Sequence, residues 1–199
     1  PGAMRFADLY KDEKITSDDR TVIGNSTPDF FGAFGTNFTW KNLDLNLSFQ
    51  YSYGGNVYNA NYNQLAAFTG TTNNQMAFFE ERWSPRNLAS TQYSTMTNGA
   101  VCSAFVEDAS FLRLRSARIS YTCPRKWFGP NAPPSHIGSI KFYIAGENLF
   151  VLTRYSGYDP EVYSNQGSSS MSNILTSGFD YGCFPRPRTF TAGINILFQ

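Results

Sequence analysis

Three carboxylates, Asp8, Asp12 and Asp19, stand at positions 1, 5 and 12 of a stretch with calcium-loop spacing, with apolar Ile15 at position 8. A calcium loop needs oxygen ligands at its odd positions and a glycine at position 6 for the sharp turn. Position 3 here is Tyr10 and position 6 is Glu13, so the stretch reads as a degenerate surface turn and no metal ligand is assigned. Asp159 and Glu161 could pose as paired acids of a glycoside hydrolase, yet such acids must flank a sugar bond about 5 to 9.5 Å apart. Two acids around Pro160 in a loop do not show that arrangement. His136 is the only histidine, and no serine triad, phosphate-binding glycine loop or metal cluster is legible. No catalytic residue, no metal and no cofactor is assigned, and the chain is read as a non-enzyme.

A second kind of chemistry is contact by tyrosine, whose ring stacks on sugar or peptide while its hydroxyl hydrogen-bonds. Tyr53, Tyr58, Tyr62, Tyr155, Tyr158 and Tyr163 gather at strand ends and in loops. Tyr58, Tyr62, Tyr155 and Tyr158, with Asp159 and Glu161, are the candidate contacts to substrate or a partner. A net charge of +1 leaves no electrostatic footprint for nucleic acid.

The elements that must carry these residues are strands. In Thr189 to Gln199, apolar Phe190, Ala192, Ile194, Ile196 and Phe198 alternate with Thr189, Thr191, Gly193 and Asn195. The cleanest pattern sets Leu43, Leu45, Leu47, Phe49, Tyr51 and Tyr53 against Asp44, Asn46, Ser48, Gln50 and Ser52. Eleven residues suit a membrane barrel strand of about 9 to 11 better than the usual strand of about 5 to 6. The 199 residues are 17% aromatic and 16% charged, which fits a wall with aromatic girdles, and no run of 18 apolar residues offers a helical span.

Five strands are expected, at approximately 31–40, 43–53, 109–122, 139–152 and 189–199. Residues 1–30 are expected to form an extracellular loop, and 54–108 a long loop with a short helix near Gln75 to Trp83. Short turns face the periplasm in such barrels. The turn at Lys41 and Asn42 and the Pro-rich connection before Ser139 therefore lie inside, and the long loops outside. Asp44, Asn46, Ser48, Gln50, Arg113 and Arg118 then face the lumen.

In the third strand, Ala117, Ile119 and Tyr121 would carry Arg113 and Arg115 to lipid unless a β-bulge near Arg115 and Ser116 reverses the phase. Five strands leave two open edges, so further strands are expected from sequence outside these residues. Cys123 is expected to be unpaired, while a Cys102 to Cys183 bond stays open.

The residues Thr191, Gly193, Ile196 and Phe198 resemble the terminal signal by which outer-membrane barrels are recognised for assembly. Several stretches together resemble the carboxyl-terminal part of a SusC/RagA-type TonB-dependent outer-membrane transporter of the Bacteroidetes. They are ITSDDRTVIG (15–24), TPDFFGAFGTNFTWKNLDLNLSFQYSYGGNVYN (27–59), EDASFLRLRSARISYTCP (107–124), FYIAGENLFVLTRYSGYDPEV (142–162) and PRPRTFTAGINILF (185–198). The resemblance implies an all-β fold, the C-terminal segment of a large antiparallel transmembrane β-barrel of about 22 strands. It also implies import of glycan or peptide fragments, a SusD-like surface lipoprotein as lid, and TonB as partner through an amino-terminal region that also holds the plug and lies outside this chain. The rival reading is a secreted all-β, lectin-like carbohydrate-binding module.

Overall fold

A computed structural model describes residues 2–66, 74–94, 101–124, 137–162 and 177–198. Tyr163, His136, Gln199 and most of the Pro-rich connection lie outside the described residues. The chain divides into two units interleaved along the sequence. One holds Pro1–Thr27, Gly55–Asp108 and Tyr155–Phe184, the other Pro28–Gly54, Ala109–Arg154 and Pro185–Gln199.

The second unit is one antiparallel sheet. Its strands are β1 (Phe30–Trp40), β2 (Leu43–Tyr53), β5 (Phe111–Thr122), β6 (Ile137–Thr153) and β8 (Thr189–Phe198), and their spatial order is β1-β2-β5-β6-β8. The ends of β2 coincide with the expected ones, and no described strand end departs from its expected place by more than two residues. β1 and β2 meet at a two-residue turn in which Lys41 adopts φ 56°, and Trp40 pairs with Leu43. The strands β1 and β8 are the two edges, and neither has an outer neighbour among the described residues.

Register sorts the side chains, because directly paired residues share a face. Thr36, Leu47, Ala117, Gly146 and Phe190 form one row, and Trp40, Leu43, Tyr121, Phe142 and Ile194 another. Every paired position on this face is apolar or glycine apart from the tyrosines and Thr36. The opposite face carries Asn37, Asn46, Arg118, Ala145 and Thr191 in one row, and Ala33, Gln50, Arg113 and Val151 in another.

Arg115 is the residue that keeps these faces consistent. Ser48 pairs with Ser116 and Phe49 with Leu114, so Arg115 has no Cα partner on β2. The shift recurs on the other side, where Leu114 faces Phe150 and Ser116 faces Glu147. Asn148, one of the two residues passed over on β6, takes φ 52°. The bulge expected near Arg115 and Ser116 is therefore present. It puts Leu112 and Leu114 on the apolar face and Arg113 on the polar one.

The first unit has more regular structure than the sequence suggests. A small sheet of order β4-β3-β7 joins β3 (Asn56–Asn59), β4 (Val106–Asp108) and β7 (Phe179–Asp180), with β3 and β7 parallel. Helix α1 (Ala60–Ala66) follows β3 directly. The loop expected over 54–108 thus contains two strands and a helix, and the helix expected near Gln75 is a 3-10 turn at Ala77–Glu81. Val57, Ala60, Phe105 and Tyr155 are its buried apolar centre. All three cysteines are free, and the Cys102 thiol lies 3.6 Å from the Met4 sulfur.

Candidate functional site

The polar face of the large sheet is built by alternation and organised by charge. Asp44 accepts hydrogen bonds from the Lys141 ammonium at 2.8 Å and the Thr39 hydroxyl at 3.0 Å, which ties β2 to β1 and, past β5, to β6. Asn46 donates to the Asn37 side chain at 2.8 Å. The Arg118 guanidinium lies 4.2 Å from the Tyr143 ring centroid, a cation–π contact that holds an otherwise long side chain flat. Tyr143 in turn covers Gly193, where an added Cβ would come within 2.6 Å of the ring. Arg113 is buried to 3% exposure, between Gln50 and Val151. Asp44, Asn46, Ser48, Gln50, Arg113 and Arg118 therefore share one surface.

On β8, Thr191 and Gly193 fall on the polar face, while Ile194, Ile196 and Phe198 pair with the apolar side of β6. The apolar face ends in aromatic side chains: Phe30, Tyr51 and Tyr53 at the loop end, Trp40, Tyr121 and Phe142 at the turn end. The eleven residues of β1 advance about 33 Å, which at a tilt near 40° spans about 25 Å, the height of a lipid-facing barrel band.

The loop unit holds the candidate contact residues, and their environments separate them. Tyr155 is 5% exposed, and its hydroxyl donates to Asp180, itself 1% exposed. Burial and then the Asp180 carboxylate push this phenol far above its ordinary range. Asp180 also accepts from the Asn61 amide at 3.0 Å. Glu107 accepts from Asn59 at 2.9 Å and from the Ser156 backbone and hydroxyl at 2.7 Å each. Asp159 is 8% exposed and accepts the Glu161 backbone N–H at 3.0 Å. Tyr155 and Asp159 are thus built into the loop framework, and Glu161 is half-buried beside them.

Tyr58 stacks on Phe179 at 5.2 Å and meets Phe105 edge-on, and its hydroxyl accepts from the Asn63 amide at 2.5 Å. Tyr62 leans on Phe105 at 5.6 Å. Burial raises both phenol pKa values. Tyr158, at 78% exposure, is the candidate that faces outward. Asn59, Asn61, Asn63, Glu107 and Asp180 escaped the sequence reading because an asparagine-rich run without periodicity looks like solvated loop. Next to Tyr58 and Phe179 lies a cavity of about 390 Å³, also lined by Ile23, Val106, Asn56 and Ser26, with no charged side chain among its lining.

The calcium-spaced turn is closed by its own backbone. Asp8 accepts the N–H groups of Lys11, Asp12 and Glu13, and Asp19 accepts those of Thr16 and Leu9 at 2.8 and 2.9 Å. These donors hold the Asp19 carboxyl below its ordinary pKa. Glu13 takes φ 63° at the position where a calcium loop places its glycine, and Lys11, two residues earlier, takes φ 57°.

No protein-family model matches the chain. Among curated proteins it is 35% identical over 199 residues to TonB-dependent receptor P3 of Formosa agariphila, which covers 100% of this chain and 19% of that protein. It is 32% identical to TonB-dependent receptor P26 of the same organism, over 99% of this chain and 20% of that one. TonB-dependent receptor SusC of Bacteroides thetaiotaomicron is 24% identical over 97% of this chain and 17% of its own length. Among solved structures, the RagAB peptide transporter superposes with a TM-score of 0.75 at 23% identity, over 92% of this chain and 19% of that one. The chain spans about a fifth of the length of the curated relatives it matches.

Proposed function

We propose that this chain, a barrel segment of a SusC/RagA-type TonB-dependent outer-membrane receptor, supplies five adjacent wall strands whose polar face lines an import lumen. The observation that carries this reading is the sorting of the sheet: charged and amide side chains on one face, an uncharged band about 25 Å tall on the other. A lectin-like module in water would have to bury that band. The edges β1 and β8 pair with strands from sequence outside these residues, since an unpaired edge in hydrocarbon costs several kcal/mol per backbone group.

The cargo is a glycan or peptide fragment, TonB supplies the energy through another part of the protein, and a SusD-like lipoprotein covers the outer side. The exposed Tyr158 and the half-buried Tyr58 and Tyr62 belong to loops that meet cargo or lid, while Tyr155, Asp159 and Glu161 hold those loops in shape. The turn at Lys41 and Asn42 faces the periplasm.

Sidedness gives the test. In a full-length receptor with its native cysteines replaced, Tyr158→Cys in intact cells should react with a membrane-impermeant maleimide, and Asn42→Cys only after the outer membrane is opened. The reverse labelling pattern would overturn the topology. Mass spectrometry of ligand released from the purified receptor should identify a glycan or peptide, and its reproducible absence in receptor purified from cells grown on such polymers would overturn the cargo assignment.

A further inference from the structure

Most of the charge at paired positions of the polar face is accounted for within the sheet. Asp44 and Lys141 pair with each other at 2.8 Å, and Arg113 is buried at 3% exposure. Arg118 and Glu147 remain. Arg118 is half-buried and held flat over the Tyr143 ring, and among the described residues no oxygen accepts a hydrogen bond from its guanidinium. Glu147 is exposed, and among the described residues its carboxylate has neither an ion-pair partner nor a hydrogen-bond donor.

The two stand close together and deep in the wall. Arg118 pairs with Ala145 and Glu147 with Ser116, which sets them diagonally across β5 and β6, with Cα atoms about 7 to 8 Å apart. They form no ion pair with each other. Arg118 lies four residues from Thr122 at the turn end of β5, about 13 Å along the strand and about 10 Å in depth at a tilt near 40°. Ser116, and Glu147 beside it, lie two residues further. Both charges therefore sit near the middle of a wall about 25 Å tall, far from either rim.

A guanidinium with unserved donors needs an anion, and its planar fork matches a carboxylate two oxygens at a time. The bare carboxylate beside it needs a cation. A partner that serves both at this spacing carries both signs, as a polypeptide surface does and a neutral glycan does not. Barrels of about 22 strands hold a plugged lumen, and about four-fifths of the length of the curated relatives lies outside this chain.

We propose that Arg118 and Glu147 form a docking pair for the plug, a polypeptide part of the same receptor outside this chain. Arg118 holds a carboxylate of the plug, and Glu147 holds one of its lysine or arginine side chains. This rests on the wall reading above. It adds a point of attachment at mid-wall, with a partner surface of defined charge on each side chain.

The test is hydrogen exchange of the full-length receptor in lipid vesicles, read peptide by peptide. R118Q and E147Q should each speed amide exchange about tenfold in one segment of the amino-terminal region, as the loss of a charge-assisted hydrogen bond would, with exchange in β2 unchanged. R118K, which keeps the charge and loses the fork, should fall between wild type and R118Q. Unchanged exchange of that region in either neutral variant overturns the proposal. A benzophenone side chain placed at Asn46, the residue paired with Arg118, should cross-link on irradiation to the same segment. Cross-linking to cargo and not to the receptor's own chain would give the pair to cargo and overturn the proposal as well, and this measurement decides the matter if a charge variant does not fold. A wild-type receptor whose gel migration does not change on boiling would instead overturn the wall reading, so the two failures are distinguishable.

Discussion

Exchanging one residue on each face of β2 tests the sorting that the assignment depends on. Leu47 pairs with Thr36 and Ala117 on the apolar face, and its neighbour Ser48 pairs with Gly35 and Ser116 on the polar face. Leu47 lies four residues from the row of Trp40 and Leu43, about 13 Å along the strand and about 10 Å in depth, close to the centre of a band about 25 Å tall. An arginine at that depth on the lipid side costs about 2 to 4 kcal/mol. At about 3 kcal/mol, Leu47→Arg should lower the folded-to-unfolded ratio about a hundredfold. Ser48→Arg enters a polar surface whose next strand carries exposed Glu147 beside Ser116, and should cost less than about 1 kcal/mol. The assay is urea unfolding of the full-length receptor in lipid vesicles, read by loss of the compact band on an unboiled gel. Equal midpoints for the two variants, or a larger loss for Ser48→Arg, would refute the assignment of faces.

Gly193→Ala should displace the Tyr143 ring, at a cost of about 1 to 3 kcal/mol, and Tyr143→Ala should relieve most of that penalty in the double variant. Tyr155→Phe leaves buried Asp180 with one donor fewer, and should destabilise the loop unit by about 1 to 3 kcal/mol, seen as faster amide exchange in α1 and β7 with exchange in β2 unchanged. Because its folded pKa is depressed, Asp19 contributes stability above the ordinary carboxyl pKa of about 3.9 and loses it as pH falls through the lower folded value. The Leu9 and Thr16 amides should therefore lose protection in acid, and Asp19→Asn should remove that pH dependence.

The wall was legible because its signal is long. Eleven alternating residues in β2 fix both faces, and the conflict in phase between Arg113 and Ile119 marks the bulge in the sequence itself. Period-two patterning needs several residues to register, and β3, β4 and β7 have four, three and two. Their sheet also depends on a parallel pairing of Tyr58 with Phe179, separated by more than half the chain, which local composition cannot announce. The candidate contacts were legible as residue types but not as environments. Tyr155 and Tyr158 look alike in sequence, and one is 5% exposed and the other 78%. What separates them is Asp180, reached only after a second long connection returns.

The hydrogen bonds from Ser156 to Glu107 and from Asn61 to Asp180 bind two separate connections, β2 to β5 and β6 to β8, to one another. Each connection leaves the wall and returns to it independently, yet neither can be exchanged alone. A graft that brought a relative's 155–184 segment without its 55–108 counterpart would leave Glu107 and Asn61 facing the wrong acceptors and donors. New binding properties in such receptors should therefore be inherited by swapping the loops together, while the wall strands tolerate the exchange.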